Sequence, residues 1–75
     1  MNAVPTIKAR KLVRALRTLG FEEVRAKGSH HRFAHPDGRK TTVPVHAGRD
    51  LPRGLLHKIV CVDLGLDMDE FVRNL

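Results

Sequence analysis

The side chains best suited to chemistry stand together in one short run, Lys27-Gly28-Ser29-His30-His31-Arg32-Phe33. Two imidazoles follow directly on a Gly-Ser turn, with a lysine before it and an arginine after it. Histidine is the residue whose ordinary pKa, roughly 6.5, lets it take up and release a proton near neutral pH. Cations on both sides are the groups that would hold a phosphodiester, so the run suits acid–base work on a nucleic-acid backbone.

The elements around the run must position it. Phe21 to Lys27 reads as a strand, Val24 and Ala26 alternating with the charged Glu23, Arg25 and Lys27. Gly28-Ser29 makes the turn, and His30 to His35 is a second strand. Phe33 belongs to the core, so side-chain alternation puts His31 and His35 on its face and His30 with Arg32 on the other. Pro36-Asp37-Gly38-Arg39 is a strong turn. Lys40 to Val45 is the third strand, with Val43 and Val45 inward, Thr42 outward, and Pro44 marking an edge or a strand end.

Residues 1–6 read as a loose lead-in, with Pro5 and Thr6 at a helix start. From Ile7 to Leu19 the period is helical: Leu12, Val13, Leu16 and Leu19 share one face, and Arg10, Lys11, Arg14 and Arg17 collect opposite. Gly20 stops this helix. His46-Ala47-Gly48-Arg49 is a loop. A second helix is capped by Asp50 or Leu51, with Pro52 in its first turn. It carries an apolar stripe of Leu55, Leu56, Ile59, Val60 and Val62, and ends at Gly65. Asp67, with Glu70 three residues on, opens a short last helix from Met68 to about Asn74, from which Phe71 and Leu75 fold back onto the core. The expected fold class is α+β: helix, three antiparallel strands, helix and a short extra C-terminal helix. The helices pack on one face of the sheet, and the other face, with His30, Arg32 and Thr42, is open.

Size and charge bound what such a site can be. A chain of 75 residues is one domain, spanning 1–75. At this length about 60% of the unfolded surface is buried, too little to wall a deep pocket. A shallow surface suits a polymer better than a small molecule. The net charge is +6. Twelve of the fourteen Lys/Arg but only four of the eight Asp/Glu lie in residues 1–53, so that segment carries +8 and residues 54–75 carry −2. A basic body of this kind is a nucleic-acid footprint. Its bland counterparts are a solvated surface and an acidic protein partner. Cys61 is the only cysteine, so no intrachain disulfide is expected. His57 and Cys61 have the i, i+4 spacing of metal ligands, but two ligands make no zinc site, and no metal or cofactor is expected. No apolar run approaches the ~18–20 residues of a membrane span and no signal peptide is evident, which makes the cytoplasm the expected location.

Several strings together resemble a known family. They are Lys27-Gly28-Ser29-His30-His31-Arg32-Phe33, His35-Pro36-Asp37-Gly38-Arg39, Thr42-Val43-Pro44-Val45-His46-Ala47-Gly48, and Asp50-Leu51-Pro52 with Gly54-Leu55-Leu56. In this order they are similar to the HicA (YcfA-like) toxins, small mRNA interferases of type II toxin–antitoxin pairs. The resemblance implies a fold like a double-stranded-RNA-binding domain, α-β-β-β-α, in agreement with the order read above. It implies metal-independent cleavage of mRNA by a histidine after Gly-Ser, a role that falls on His30, and neutralisation by a HicB-type antitoxin covering the site. His31 ranks second for that role. The basic cluster that RNA-binding domains carry at the start of their last helix is absent, because Asp50 and Pro52 stand there. Unpaired mRNA is therefore the expected substrate.

On this reading His30 takes the proton of a ribose 2′-OH, and Lys27 and Arg32 hold the phosphate. Ser29 either donates a hydrogen bond or only shapes the turn. His31 and His46 are candidates for the acid that protonates the leaving 5′-oxygen. The alternatives are a non-catalytic RNA-binding module and a basic surface that docks only an acidic protein.

Overall fold

The computed structural model describes residues 4–75, so the portion of the lead-in over residues 1–3 lies outside the described residues. Helix α1 runs over Ala9–Thr18. It buries Ala9, Leu12 and Leu16 and leaves its arginines outside. Its end is a Schellman turn: the amides of Gly20 and Phe21 donate to the carbonyls of Arg17 and Leu16 at 3.0 and 2.9 Å. Gly20 holds φ at +97°, and a Cβ there would lie 3.0 Å from His35 Nε2. The helix starts later than expected from Pro5-Thr6. The chain before it is strapped to the loop preceding the second helix. The Leu51 amide donates to the Ile7 carbonyl at 2.8 Å, Lys8 pairs with Asp50 at 3.3 Å, and Arg53 donates to the Thr6 hydroxyl at 2.8 Å.

Strands β1 (Glu22–Lys27), β2 (His30–Ala34) and β3 (Lys40–Pro44) form one antiparallel sheet in the order β1-β2-β3. Pro44 thus lies on an edge strand, where its missing N–H costs no ladder bond. The Gly28-Ser29 loop has φ of +59° at Gly28, while no residue other than glycine has positive φ. That is the type II′ pattern for a two-residue hairpin. Counting back from the turn, Lys27 pairs with His30, Ala26 with His31 and Arg25 with Arg32. A bulge at Val24 then shifts the register, so that Glu23 rather than Val24 faces Phe33. Val24, an apolar member of the alternation, is consequently 59% exposed.

Helix α2 spans Arg53–His57, with Pro52 itself at the N-cap and neither Asp50 nor Leu51 in that position. It continues as a π-helix over Lys58–Asp63. The wider turn carries Val62 away from the sheet, so this member of the expected stripe is 67% exposed, while Leu56, Ile59, Val60 and Leu64 are buried. The π-turn also brings Asp63 under the sheet. The buried Thr41 hydroxyl donates to Asp63 Oδ2 at 3.0 Å, and Lys58 reaches the same carboxylate at 3.3 Å. Helix α3, Met68–Arg73, is capped by Asp67, whose carboxylate accepts from the Glu70 amide at 3.1 Å. Phe71 is buried as expected, but Leu75 and Leu19 are each about 40% exposed.

Phe33 and Val43 of the sheet join Leu12, Leu16, Leu56, Ile59 and Phe71 in a single core. The architecture is therefore α+β, an α-β-β-β-α order with a short extra helix, helices on one face of the sheet and the other face open. The β2–β3 turn is clamped to this core. Arg39 donates to the Leu64 carbonyl at 2.7 Å and to Asp37 Oδ2 at 2.8 Å, and its guanidinium lies 5.2 Å from the Phe21 ring centre. His35 packs on the same Phe21, its ring centre 5.0 Å away.

Candidate active site

The open sheet face is read in rows, because directly paired residues on neighbouring strands point the same way, with Cβ atoms about 4.5–5.5 Å apart. The row nearest the Gly28-Ser29 turn is Lys27, His30 and Pro44; the next is Arg25, Arg32 and Thr42; the third is Glu22, Ala34 and Lys40. His30 therefore stands on the central strand with Lys27 beside it and Arg32 two residues along the same face. His30, Lys27, Arg32 and Arg25 are all exposed. Among the described residues none of them has a salt-bridge partner. Arg25 directly opposite Arg32 is an unfavourable arrangement in the bare protein, and one that an anion lying across the two strands would relieve. Arg25 was not singled out in the sequence, although its pairing follows from a two-residue turn by counting.

Ser29 is half-buried, and its carbonyl accepts from the Val45 amide at 2.7 Å, which ties the turn to β3. Its hydroxyl has no hydrogen-bond partner among the described residues, so it is available to a ligand.

His31 does not share this face. It points toward α1 and is half-buried, and its Nδ1–H donates to Glu23 Oε1 at 3.2 Å. The carboxylate can only accept, which fixes the proton on Nδ1 and leaves Nε2 as the free nitrogen. Glu23 also meets Arg17 Nη2 at 3.7 Å. The sequence pattern gave no sign of this contact, because without the bulge at Val24 the Glu23 side chain would have pointed to the open face. His46 is exposed in the loop after β3, His57 is exposed on α2 and Cys61 is half-buried and free. Among the described residues no three His, Cys, Asp or Glu side chains cluster as a metal site. No described helix is long and apolar enough to cross a membrane.

The cationic strip expected on α1 divides between two grooves. Arg10, Arg14 and Arg17 line one with His31 and Glu23; Lys11 and Arg14 line another against α3, with Leu19, Phe71 and Leu75.

Residues 9–66 of the chain match the family described as the HicA toxin of bacterial toxin-antitoxin. The matched span takes in α1, the whole sheet and the π-turn. A comparison with curated proteins finds no match.

Proposed function

The chain belongs to the HicA toxin family of bacterial toxin–antitoxin systems, and from that membership we propose that it is a metal-independent endoribonuclease, an mRNA interferase, with His30 as its proton-transfer residue. The observation that carries the reading is His30 itself: an exposed imidazole on the central strand, between Lys27 and Arg32, on a face whose cations have no acidic partners among the described residues.

RNA brings its own nucleophile. His30 removes the proton of a 2′-OH, the oxygen attacks the adjacent phosphorus, and the bond to the 5′-oxygen breaks. The products are a 2′,3′-cyclic phosphate and, once the leaving oxygen takes a proton, a free 5′-OH. No metal is needed to generate this nucleophile. Lys27 and Arg32 hold the phosphate and stabilise the charge that gathers on its oxygens. Ser29, at the tip of the turn, supplies a further donor. Proton transfer by a positioned side chain contributes about 10²–10⁴ in rate.

A toxin of such a pair has a cognate antitoxin, and we assign a HicB-type protein to this role, covering the face around His30. The substrate is unpaired mRNA, and the site of action is the cytoplasm.

Incubation of the purified protein with mRNA and EDTA tests the reading. Cleavage that ends in cyclic phosphates and disappears in His30→Ala supports it. Intact RNA held in a salt-sensitive complex would instead make the chain an RNA-binding module, the reading for which the unpaired Arg25 and Arg32 alone would suffice.

A further inference from the structure

Behind the sheet from His30, a groove of about 490 Å³ runs between α1 and the β1–β2 hairpin, lined by Arg10, Val13, Arg14, Arg17, His31 and Val45, with Glu23 in its wall. The three arginines lie along one side of the helix over about 10 Å. Arg17 is held in place from two sides, by Glu23 at 3.7 Å and by the Phe33 ring, 5.9 Å from its guanidinium. Arg10 and Arg14 have no salt bridge among the described residues. Glu23, the one acid of the groove, is already engaged by Arg17 and by His31. The groove thus presents two free guanidinium forks, a fixed third and an unpartnered His31 Nε2, above an apolar floor of Val13 and Val45.

We propose that this groove is a second RNA-backbone site, which binds phosphates of the same unpaired strand whose reactive linkage lies at His30; the proposal rests on the ribonuclease reading. Guanidinium forks match phosphate oxygens, and the valine floor accepts a ribose or base. An RNA strand is favoured over an acidic protein because one flexible strand can reach both faces around the hairpin tip. His30 and His31 are consecutive, their Cα atoms about 3.8 Å apart, and the strand has only to pass the outside of the Gly28-Ser29 turn to touch both. His31 on this view contacts phosphate as an imidazolium, its Nδ1–H held by Glu23 and its Nε2–H donating to a phosphate oxygen, and the groove supplies affinity for substrates that extend beyond the cleaved linkage.

The test measures binding, not cleavage. A short unpaired oligonucleotide carrying 2′-O-methyl groups lacks the nucleophile and survives whichever histidine is active. Its affinity for the full chain is followed against salt, in parallel with cleavage of ordinary RNA by the same preparation. Arg10→Gln with Arg14→Gln should weaken binding roughly tenfold at low salt and flatten the dependence of log K on log salt by about 1.4, at ~0.7 for each lost phosphate contact with a single strand. Arg73→Gln, on exposed α3, should change neither. An unchanged slope in the double variant overturns the groove, as does a loss confined to antitoxin affinity, which would make the surface a protein-docking one. Cleavage with arginine-independent binding defeats the groove alone; arginine-dependent binding with no cleavage defeats the ribonuclease reading alone.

Discussion

His30 and His31 are adjacent in sequence and leave β2 on opposite faces of the sheet: His30 into solvent beside Lys27, His31 toward α1 with its Nδ1 3.2 Å from Glu23 Oε1. One phosphodiester does not sit naturally between them, so their substitutions should separate. His30→Ala should lower the initial rate on RNA in EDTA by about 10²–10⁴, with unchanged thermal unfolding. His31→Ala should retain most of the turnover at saturating RNA and lose affinity. A His30→Ala protein that cleaves as fast as the parent, with His31→Ala inert, would transfer the chemistry to the helix side.

The two glycines that bracket β1 should respond differently to alanine. Gly20 and Gly28 both hold positive φ, at +97° and +59°, where a side chain costs about 1–2 kcal/mol. Only at Gly20 would the new methyl also meet a neighbour, His35 Nε2 at 3.0 Å; at Gly28 nothing lies within 4 Å. Urea unfolding should find Gly20→Ala the more destabilised of the two. Gly28→Ala should lose about 1 kcal/mol and, because the turn sets where Lys27 and His30 stand, some activity as well.

Arg39 ties the β2–β3 turn to the far end of the π-helix through its 2.7 Å bond to the Leu64 carbonyl. Its removal in Arg39→Ala also strips the face of Phe21, and should lower stability by about 1.5–3 kcal/mol, the range for a hydrogen bond made by a charged group. Arg39→Lys should recover only part of this, since an ammonium cannot reproduce the fork that spans Asp37 and Leu64.

Acid should loosen the same turn. The Asp37 carboxyl is held below its ordinary value of 3.8, first by the Arg39 amide that donates to it at 3.0 Å; desolvation opposes this, and the Arg39 side chain and His35 add smaller lowering effects. A carboxyl depressed on folding binds its proton more weakly in the folded chain. Its contribution is complete above the unfolded value and is lost as pH falls through the folded one. Urea midpoints should therefore decline below about pH 4, and less steeply in Asp37→Asn.

Thr41→Val should cost about 1 kcal/mol by chemical denaturation, because the buried hydroxyl that meets Asp63 is lost. The loss stays small because Lys58 still pairs with that carboxylate at 3.3 Å. A larger loss in Lys58→Ala than in Thr41→Val would show that the ion pair, not the hydroxyl, holds the π-turn to β3.

The path of the chain could be read in advance wherever one residue type has one dominant preference. Gly20 ends α1, Gly28-Ser29 turns the hairpin, Pro44 lies on an edge, and the burial of Phe33 dictates that His30 faces outward. Two of the departures come from backbone irregularities that add a residue without announcing it. The bulge at Val24 exchanges the faces of Val24 and Glu23, and so builds the Glu23–His31–Arg17 cluster. The π-turn does the same to Val62. Each is accompanied by a contact with a residue distant in sequence, Glu23 opposite Phe33 in one case and Asp63 with Thr41 in the other, which local periodicity does not contain. The site was legible as a run of residues; that its two histidines would serve different surfaces followed from alternation, but what each would meet did not.

The π-turn bears on how this chain is to be aligned with others. A π-helix closes its hydrogen bonds over five residues where an α-helix closes over four, so Lys58–Asp63 amounts to one residue more than an ordinary helix would need to join Leu56 to Leu64. A homologue with a regular helix there should be one position shorter between these leucines, and a gap placed at that point keeps its later residues in phase. Without the gap, the aspartate beneath β3 would be matched to a neighbour that points into water, and a structural anchor would pass for a variable surface position.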